Sequence, residues 1–150
     1  MLKQYLNQLI GKKITRLEPG FGSYFTIDFG KDLEFSYRYK DETRTYIRGE
    51  WEIWIKMAYW EFRKGEETLL HEESSKQEMA TFFKSLSNKS FLSYEITSET
   101  FDLTICIEDD ITLYVITNEE DPEAEQWEFI IPEGKVFSAG PGTKLTLENY

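Results

Sequence analysis

The chain has one cysteine, Cys106, and one histidine, His71, among its 150 residues. A single cysteine excludes an internal disulfide and any site that needs two thiols, so the fold does not depend on an oxidising compartment. No stretch approaches the ~20 consecutive apolar residues of a membrane-spanning helix, and the first residues lack the apolar run of a signal peptide. We therefore expect a cytoplasmic protein with no membrane partner.

Residues suited to catalysis are equally scarce. His71 lies beside Glu72 and Glu73 in a charged stretch, which is typical of a solvated side chain rather than of a general base. Cys106 has no cysteine–histidine signature around it to activate a thiolate. We expect no catalytic residues, no metal and no cofactor, and therefore a protein that is not an enzyme.

Basic residues are few and unevenly distributed. The formal net charge is -11, and residues 1–73 hold 12 Lys or Arg against 13 Asp or Glu, whereas residues 74–150 hold 5 against 15. An acidic surface repels nucleic-acid phosphates and anionic membranes and attracts basic proteins. We predict a basic protein partner and no nucleic acid; the alternative is that the acidity only keeps the protein soluble.

The densest acidic segment is residues 119–125, which we call the acidic loop. Its carboxylates belong to Glu119, Glu120, Asp121, Glu123 and Glu125. Pro122 keeps the segment out of a regular strand, and its spacing lacks the alternating aspartates and distal glutamate of a calcium loop. The acidic loop is the predicted partner-binding site, and a merely solvated loop is the alternative.

What the sequence does contain is an internal repetition of apolar positions. Residues 2–55 match residues 79–131 at offsets of 76 to 78 residues, and the match pairs Trp51 with Trp127. Because apolar positions recur while surface positions change, the pattern indicates a repeated supersecondary unit. We predict an α+β fold in one domain of two repeats, about 1–73 and 74–150. Each repeat is a helix followed by an antiparallel β-meander, and a pseudo-twofold axis relates the two halves.

Local signals place the elements of each repeat. A helix over 2–9 ends at Gly11, and a second helix begins at the capping residue Ser75 and ends at Asn88. Alternation of apolar and polar residues predicts the strands 13–18, 24–29, 33–39, 51–57, 58–62, 90–96, 101–107, 111–117, 127–131, 135–139 and 145–147. Turns are predicted at 30–32 and 108–110, and loops at 38–51 and 64–75.

Two groups of aromatic residues suggest contact surfaces. If Trp51 faces the core, Trp54 points the other way, where the second half, a dimer partner or a ligand covers it. We predict Trp54 and Trp60 as ligand or interface aromatics, with packing between sheets as the alternative. Segment 38–51 mixes basic and aromatic residues in a manner suited to single-stranded nucleic acid, but its acidic residues favour a solvated hairpin flank.

The run Leu9-Ile10-Gly11-Lys12-Lys13-Ile14, followed by alternating strands, a turn with Asp32 and a later tryptophan, resembles small bacterial proteins, some of which are similar to immunity proteins of polymorphic toxin systems. The resemblance implies a bacterial cytosolic protein that works by binding. We predict a non-catalytic acidic interaction protein, such as an immunity protein that binds a basic toxin. The alternative is a small-molecule binding module whose pocket is lined by Trp51, Trp54, Trp60 and Trp127.

Overall fold

The computed structural model describes residues 1–149 and consists of antiparallel β-sheets with two short α-helices. In chain order the elements are α1 (Leu2–Leu6), a 3₁₀ turn (Asn7–Leu9), β1 (Ile14–Pro19), β2 (Phe25–Tyr39), β3 (Glu42–Ile55), β4 (Tyr59–Lys64), β5 (Glu67–His71), α2 (Lys76–Ser85), β6 (Phe91–Ile96), β7 (Leu103–Ile107), β8 (Ile111–Ile116), β9 (Trp127–Ile131), β10 (Lys135–Ala139) and β11 (Leu145–Asn149). The predicted α+β class with antiparallel sheets is confirmed at this level.

The strands form two sheets. The six-stranded sheet has the order β1-β2-β3-β9-β10-β11, and the five-stranded sheet has the order β5-β4-β8-β7-β6. The chain therefore passes from one sheet to the other between β3 and β4, and returns between β8 and β9. The inner faces pack on each other, as the ring contacts of Phe25 with Trp60 and of Phe29 with Phe91 demonstrate. The helices complete the core with Leu2, Leu6, Met79 and Phe83.

Several local predictions are confirmed. The Ser75 side chain accepts a hydrogen bond from the backbone N–H of Glu78 at 3.1 Å, so it caps α2 as expected. Gly11 and Asn88 have φ angles of +87° and +71°, the left-handed conformation expected after a helix end. The turn at 108–110 also lies where it was predicted.

The predicted turn at 30–32 is wrong, and so is the predicted loop at 38–51. β2 continues through this region with a bulge between Phe29 and Asp32, and its pairing with β3 extends to Tyr39 and Glu42. Gly30, at a φ of +79°, supplies the left-handed residue at the bulge. The outer part of this long hairpin, residues 33–47, is named the hairpin arm.

The prediction of a loop over 64–75 misses β5. This short strand pairs antiparallel with β4 and places Leu70 opposite Phe62. Leu70 is only 3% exposed, so the burial of one leucine against a neighbouring strand outweighs the charged composition around it.

The proposed equivalence of Trp51 and Trp127 stays a prediction. Trp51 lies on β3 and pairs with Phe29 of β2. Trp127 lies on β9 and pairs with Ile55 of β3, so its strand joins the two halves of the chain. Trp60 lies on β4, which pairs with β8 in the five-stranded sheet.

Candidate functional site

The six-stranded sheet brings two carboxyl side chains together on its outer face. Asp28 of β2 and Glu52 of β3 are direct register partners. They are 3% and 7% exposed. Side chains at such opposite positions have Cβ atoms about 4.5–5.5 Å apart. A buried pair of carboxyl groups therefore lies at the centre of this face.

The environment of Glu52 favours its protonated form. Burial raises its pKa from the ordinary 4.5 to about 8, and the hydrogen bond to Asp28 and the charge of Asp28 act in the same direction. A hydrogen bond from the Trp54 indole N–H at 2.7 Å and the charge of Arg48 lower this pKa, but by less. Burial beside Asp28 therefore favours a protonated Glu52 at neutral pH.

Two arginines flank the carboxyl pair. The Nη1 atom of Arg16 lies 3.2 Å from Asp28 Oδ2, and its Nη2 atom lies 2.6 Å from Asp32 Oδ1. Arg48 is 8% exposed, and its guanidinium lies 4.4 Å from the centre of the Phe35 ring. The outer face thus combines buried groups of both charge signs.

A half-open groove of about 290 Å³ borders this cluster, between the sheet face and the root of the hairpin arm. We call it the Trp54 groove. Its aromatic walls are Tyr24, Tyr46 and Trp54, and its charged walls are Glu18, Arg48 and Glu52. Trp54 lies on the outer face, as the sequence predicts, and its ring borders the groove rather than the core.

The acidic loop lies next to the Trp54 groove. Lys56 joins them, because its Nζ atom binds Glu125 Oε2 at 2.6 Å and also binds Glu128. The same Nζ atom lies 5.3 Å from the centre of the Trp54 ring. Glu125, one of the predicted partner-binding carboxylates, is therefore joined through Lys56 to the predicted interface aromatic Trp54.

Gln126 orders the acidic loop. Its side chain is buried, and its Oε1 atom accepts a hydrogen bond from the backbone N–H of Asn118 at 2.7 Å. Its Nε2 atom donates to the backbone oxygens of Ala124 and Asp121 at 3.2 and 3.4 Å. Three of the loop carboxylates, those of Glu119, Glu120 and Glu123, are exposed, while Asp121 and Glu125 are half-buried.

The other tryptophans lie in the core. Trp60 is 2% exposed, its ring centre lies 4.7 Å from that of Phe25, and its indole N–H donates to the Ser23 carbonyl at 2.8 Å. Trp51 and Trp127 are 6% and 1% exposed. Of the four tryptophans named for an aromatic pocket, Trp54 alone borders the groove.

Sequence reasoning missed the central pair. Asp28 lies between the core residues Ile27 and Phe29, and Glu52 lies between Trp51 and Ile53. A single acidic residue in the middle of each of two apolar strands is the signal that could have identified them. Only the strand register, however, shows that the two residues meet.

Within residues 1–149, no three His, Cys, Asp or Glu side chains are arranged to hold a metal ion. The helices of this described part are too short or too polar to cross a membrane. No family model matches the chain, and neither a curated protein nor a solved structure matches it.

Proposed function

We propose that this chain is a non-catalytic interaction protein that binds a basic protein partner through the acidic loop. The observation that carries the proposal is the fixed backbone of that loop. Five carboxylates repel one another, yet Gln126 holds their backbone in one conformation through hydrogen bonds to Asn118, Asp121 and Ala124. An ordered anionic surface loses little conformational entropy when a partner binds.

The surface around the acidic loop has the composition of a protein interface. Tyr59 and Ile116 are register partners, are 38% and 49% exposed, and lie beside the loop. The Tyr59 hydroxyl donates a hydrogen bond to Glu120 at 3.0 Å. Protein–protein interfaces usually have an apolar centre and a charged rim.

The resemblance to immunity proteins makes a basic toxin the first class of partner to test. The alternative, a small-molecule module with an aromatic-lined pocket, requires Trp51, Trp60 and Trp127 at a cavity. Their rings are buried in the packed core instead. The Trp54 groove favours a ligand, and it adjoins the acidic loop through Lys56.

The test is a pull-down from the source organism followed by association kinetics at two salt concentrations. The loop variant carries amides in place of the carboxylates of Glu119, Glu120, Asp121, Glu123 and Glu125. A matched control carries amides at five exposed carboxylates elsewhere, Glu66, Glu67, Glu95, Glu99 and Glu148. We expect the loop variant to associate about tenfold more slowly at low salt than the control, because nearby charges steer encounter.

Salt should remove most of that difference, because exposed charges are screened beyond about 10 Å at 0.1 M ionic strength. Capture of only neutral or acidic proteins would contradict the proposal. Equal association rates for the loop variant and its control would do the same.

We further propose that the chain is an internal duplication whose halves are related by a pseudo-twofold axis. The strand orders support it: β1-β2-β3 continues into β9-β10, and β6-β7-β8 continues into β4-β5. The short sequence Trp-Glu-Phe occurs at 60–62 and again at 127–129. These tryptophans donate their indole N–H groups to the carbonyls of Ser23 and Phe101, at 2.8 and 2.9 Å.

Hydrogen bonds between the halves give further support. Lys13 and Ser90, which are 77 residues apart and match in the repeat, form an isolated antiparallel bridge. The bonds around it are reciprocal: the N–H of Ile14 donates to Lys89 at 2.8 Å, and the N–H of Phe91 donates to Lys12 at 2.9 Å. Residues that pair with their own counterparts are expected where a twofold axis passes.

A further inference from the structure

We propose that the Trp54 groove receives an arginine side chain of the basic partner, with its guanidinium against the Glu52 carboxyl and the groove aromatics. This inference rests on the proposed function and adds a specific anchor to it. The groove lies on the same surface as the acidic loop, joined to it by Lys56. One partner can therefore contact both.

The charges around the groove favour a cation. Carboxyl groups outnumber cationic groups here: the former are Glu18, Asp28, Asp32, Glu50, Glu52, Glu125 and Glu128, and the latter are Arg16, Arg48 and Lys56. Arg16 already pairs with three of the carboxylates. An incoming anion would meet the remaining negative charge, whereas a guanidinium would be attracted by it.

The aromatic lining of the groove favours a planar cation. Guanidinium groups stack on aromatic rings and form paired hydrogen bonds with carboxylates, whereas the compact ammonium of lysine does not stack in this way. This chain already uses such stacking next to the groove. Arg48 lies 4.4 Å from the centre of the Phe35 ring, and Arg44 lies 4.4 Å from that of Tyr39. Tyr46 and Trp54 offer the same kind of ring surface to a visiting arginine.

Because Glu52 can ionise, binding of an arginine in the groove should depend on pH. On β2, Asp28 lies opposite Glu52, and Arg16 of β1 contacts Asp28. On β3 the neighbouring groups are Arg48, Glu50 and Trp54. On β9 the neighbour is the apolar Ile130. The buried Oδ1 atom of Asp28 has no hydrogen-bond partner in the described chain, which favours a proton on the neighbouring Glu52 carboxyl. A guanidinium in the groove favours ionised Glu52. Binding then releases that proton to solvent, and affinity rises with pH.

The experiment uses the full chain labelled with 5-fluorotryptophan and titrated with N-acetyl-argininamide. Fluorine NMR resolves the four tryptophans, and the signal of Trp54 is assigned with Trp54→Phe. We expect the Trp54 signal to shift while those of the three core tryptophans do not. Because the pKa of Glu52 is about 8, the probe should bind about 30-fold more tightly at pH 9 than at pH 6.5.

Two variants test whether binding depends on Glu52. Glu52→Gln keeps an acceptor for the Trp54 indole N–H but cannot ionise, so we expect weaker binding with no dependence on pH. Glu61→Gln, on the outer face of the other sheet, should bind as the natural protein does. N-acetyl-lysinamide should bind at least tenfold more weakly, because it cannot stack as a guanidinium does.

A Trp54 signal that does not move with the argininamide would overturn the anchor, as would equal binding of the two probes. An unchanged pH dependence in Glu52→Gln would also overturn it. These outcomes leave the acidic-loop kinetics unaffected. Conversely, the Trp54 signal could shift with the argininamide while the loop variant associates with the partner as fast as its control. This result would support the arginine site in the groove and refute the proposed function.

Discussion

The raised pKa of Glu52 on the outer sheet face links the stability of the fold to pH. The pKa of Glu52 is raised in the folded protein to about 8, from an ordinary 4.5. A carboxyl group with a raised pKa binds its proton more tightly in the folded state than in the unfolded state. Its contribution to stability is therefore complete below pH 4.5 and is lost as the pH rises through about 8.

We predict that Glu52→Gln removes this pH dependence. The free energy of unfolding of the natural protein should fall relative to that of the variant as the pH rises from about 5 to 8. The amide that replaces the carboxyl group is uncharged at every pH and retains an acceptor for the Trp54 indole N–H. Urea titrations of both proteins at pH 5, 6.5 and 8 measure the difference, and parallel stability curves would contradict the assigned proton.

The residue pair Asp28 and Glu52 also shows which properties of single residues can be predicted from the sequence and which cannot. The alternation of apolar residues correctly places Trp54 on the outer face of β3. Asp28 and Glu52 are 24 positions apart in the sequence, and no local pattern relates them. The raised pKa of Glu52 arises from burial and from Asp28, and both depend on how β2 pairs with β3.

At the scale of elements, the acidic loop depends on one buried side chain. We predict that Gln126→Ala disorders residues 118–125 but leaves β9 intact, because the Gln126 side chain bonds only to the loop, whereas its backbone holds β9 in place. Loss of a buried partner for the Asn118 N–H costs about 1–3 kcal/mol.

Amide hydrogen exchange measures this effect residue by residue. Exchange at Asn118 and Ala124 should accelerate by at least tenfold in Gln126→Ala, while exchange at Phe129 should change little. Gln77→Ala, at an exposed position of α2, is the matched control. Equal protection of Asn118 in Gln126→Ala and the control would mean that the loop is ordered by other contacts.

The elements with local signals are those that the sequence predicts well. The Ser75 cap and the turn at 108–110 depend on residues adjacent to each other. The hairpin arm was missed because Gly30-Lys31-Asp32 has the composition of a turn, whereas the structure uses it as a bulge. Whether a glycine-containing triplet becomes a turn or a bulge depends on whether the strands on both sides keep pairing, which is not a local property.

At the scale of the whole molecule, neither half contains a complete sheet. β3 has β9 as one neighbour, and β4 has β8, so each half contributes an inner strand next to the other half. We predict that fragments 1–73 and 74–150 are each unfolded alone and form a 1:1 complex when mixed. Circular dichroism and size-exclusion chromatography of the fragments test this. Cooperative thermal unfolding of fragment 1–73 alone would refute the mutual dependence.

The passage of the chain between the two sheets also has a consequence for protein synthesis. When β5 leaves the ribosome, β3 and β4 each still present an unpaired strand edge, because β8 and β9 are not yet made. Exposed strand edges promote association between chains, and contacts distant in sequence form slowly. The nascent first half can therefore pair these edges only after residues up to Ile131 have been synthesised. Slow translation of the segment after β5 would prolong the period in which the first half can aggregate.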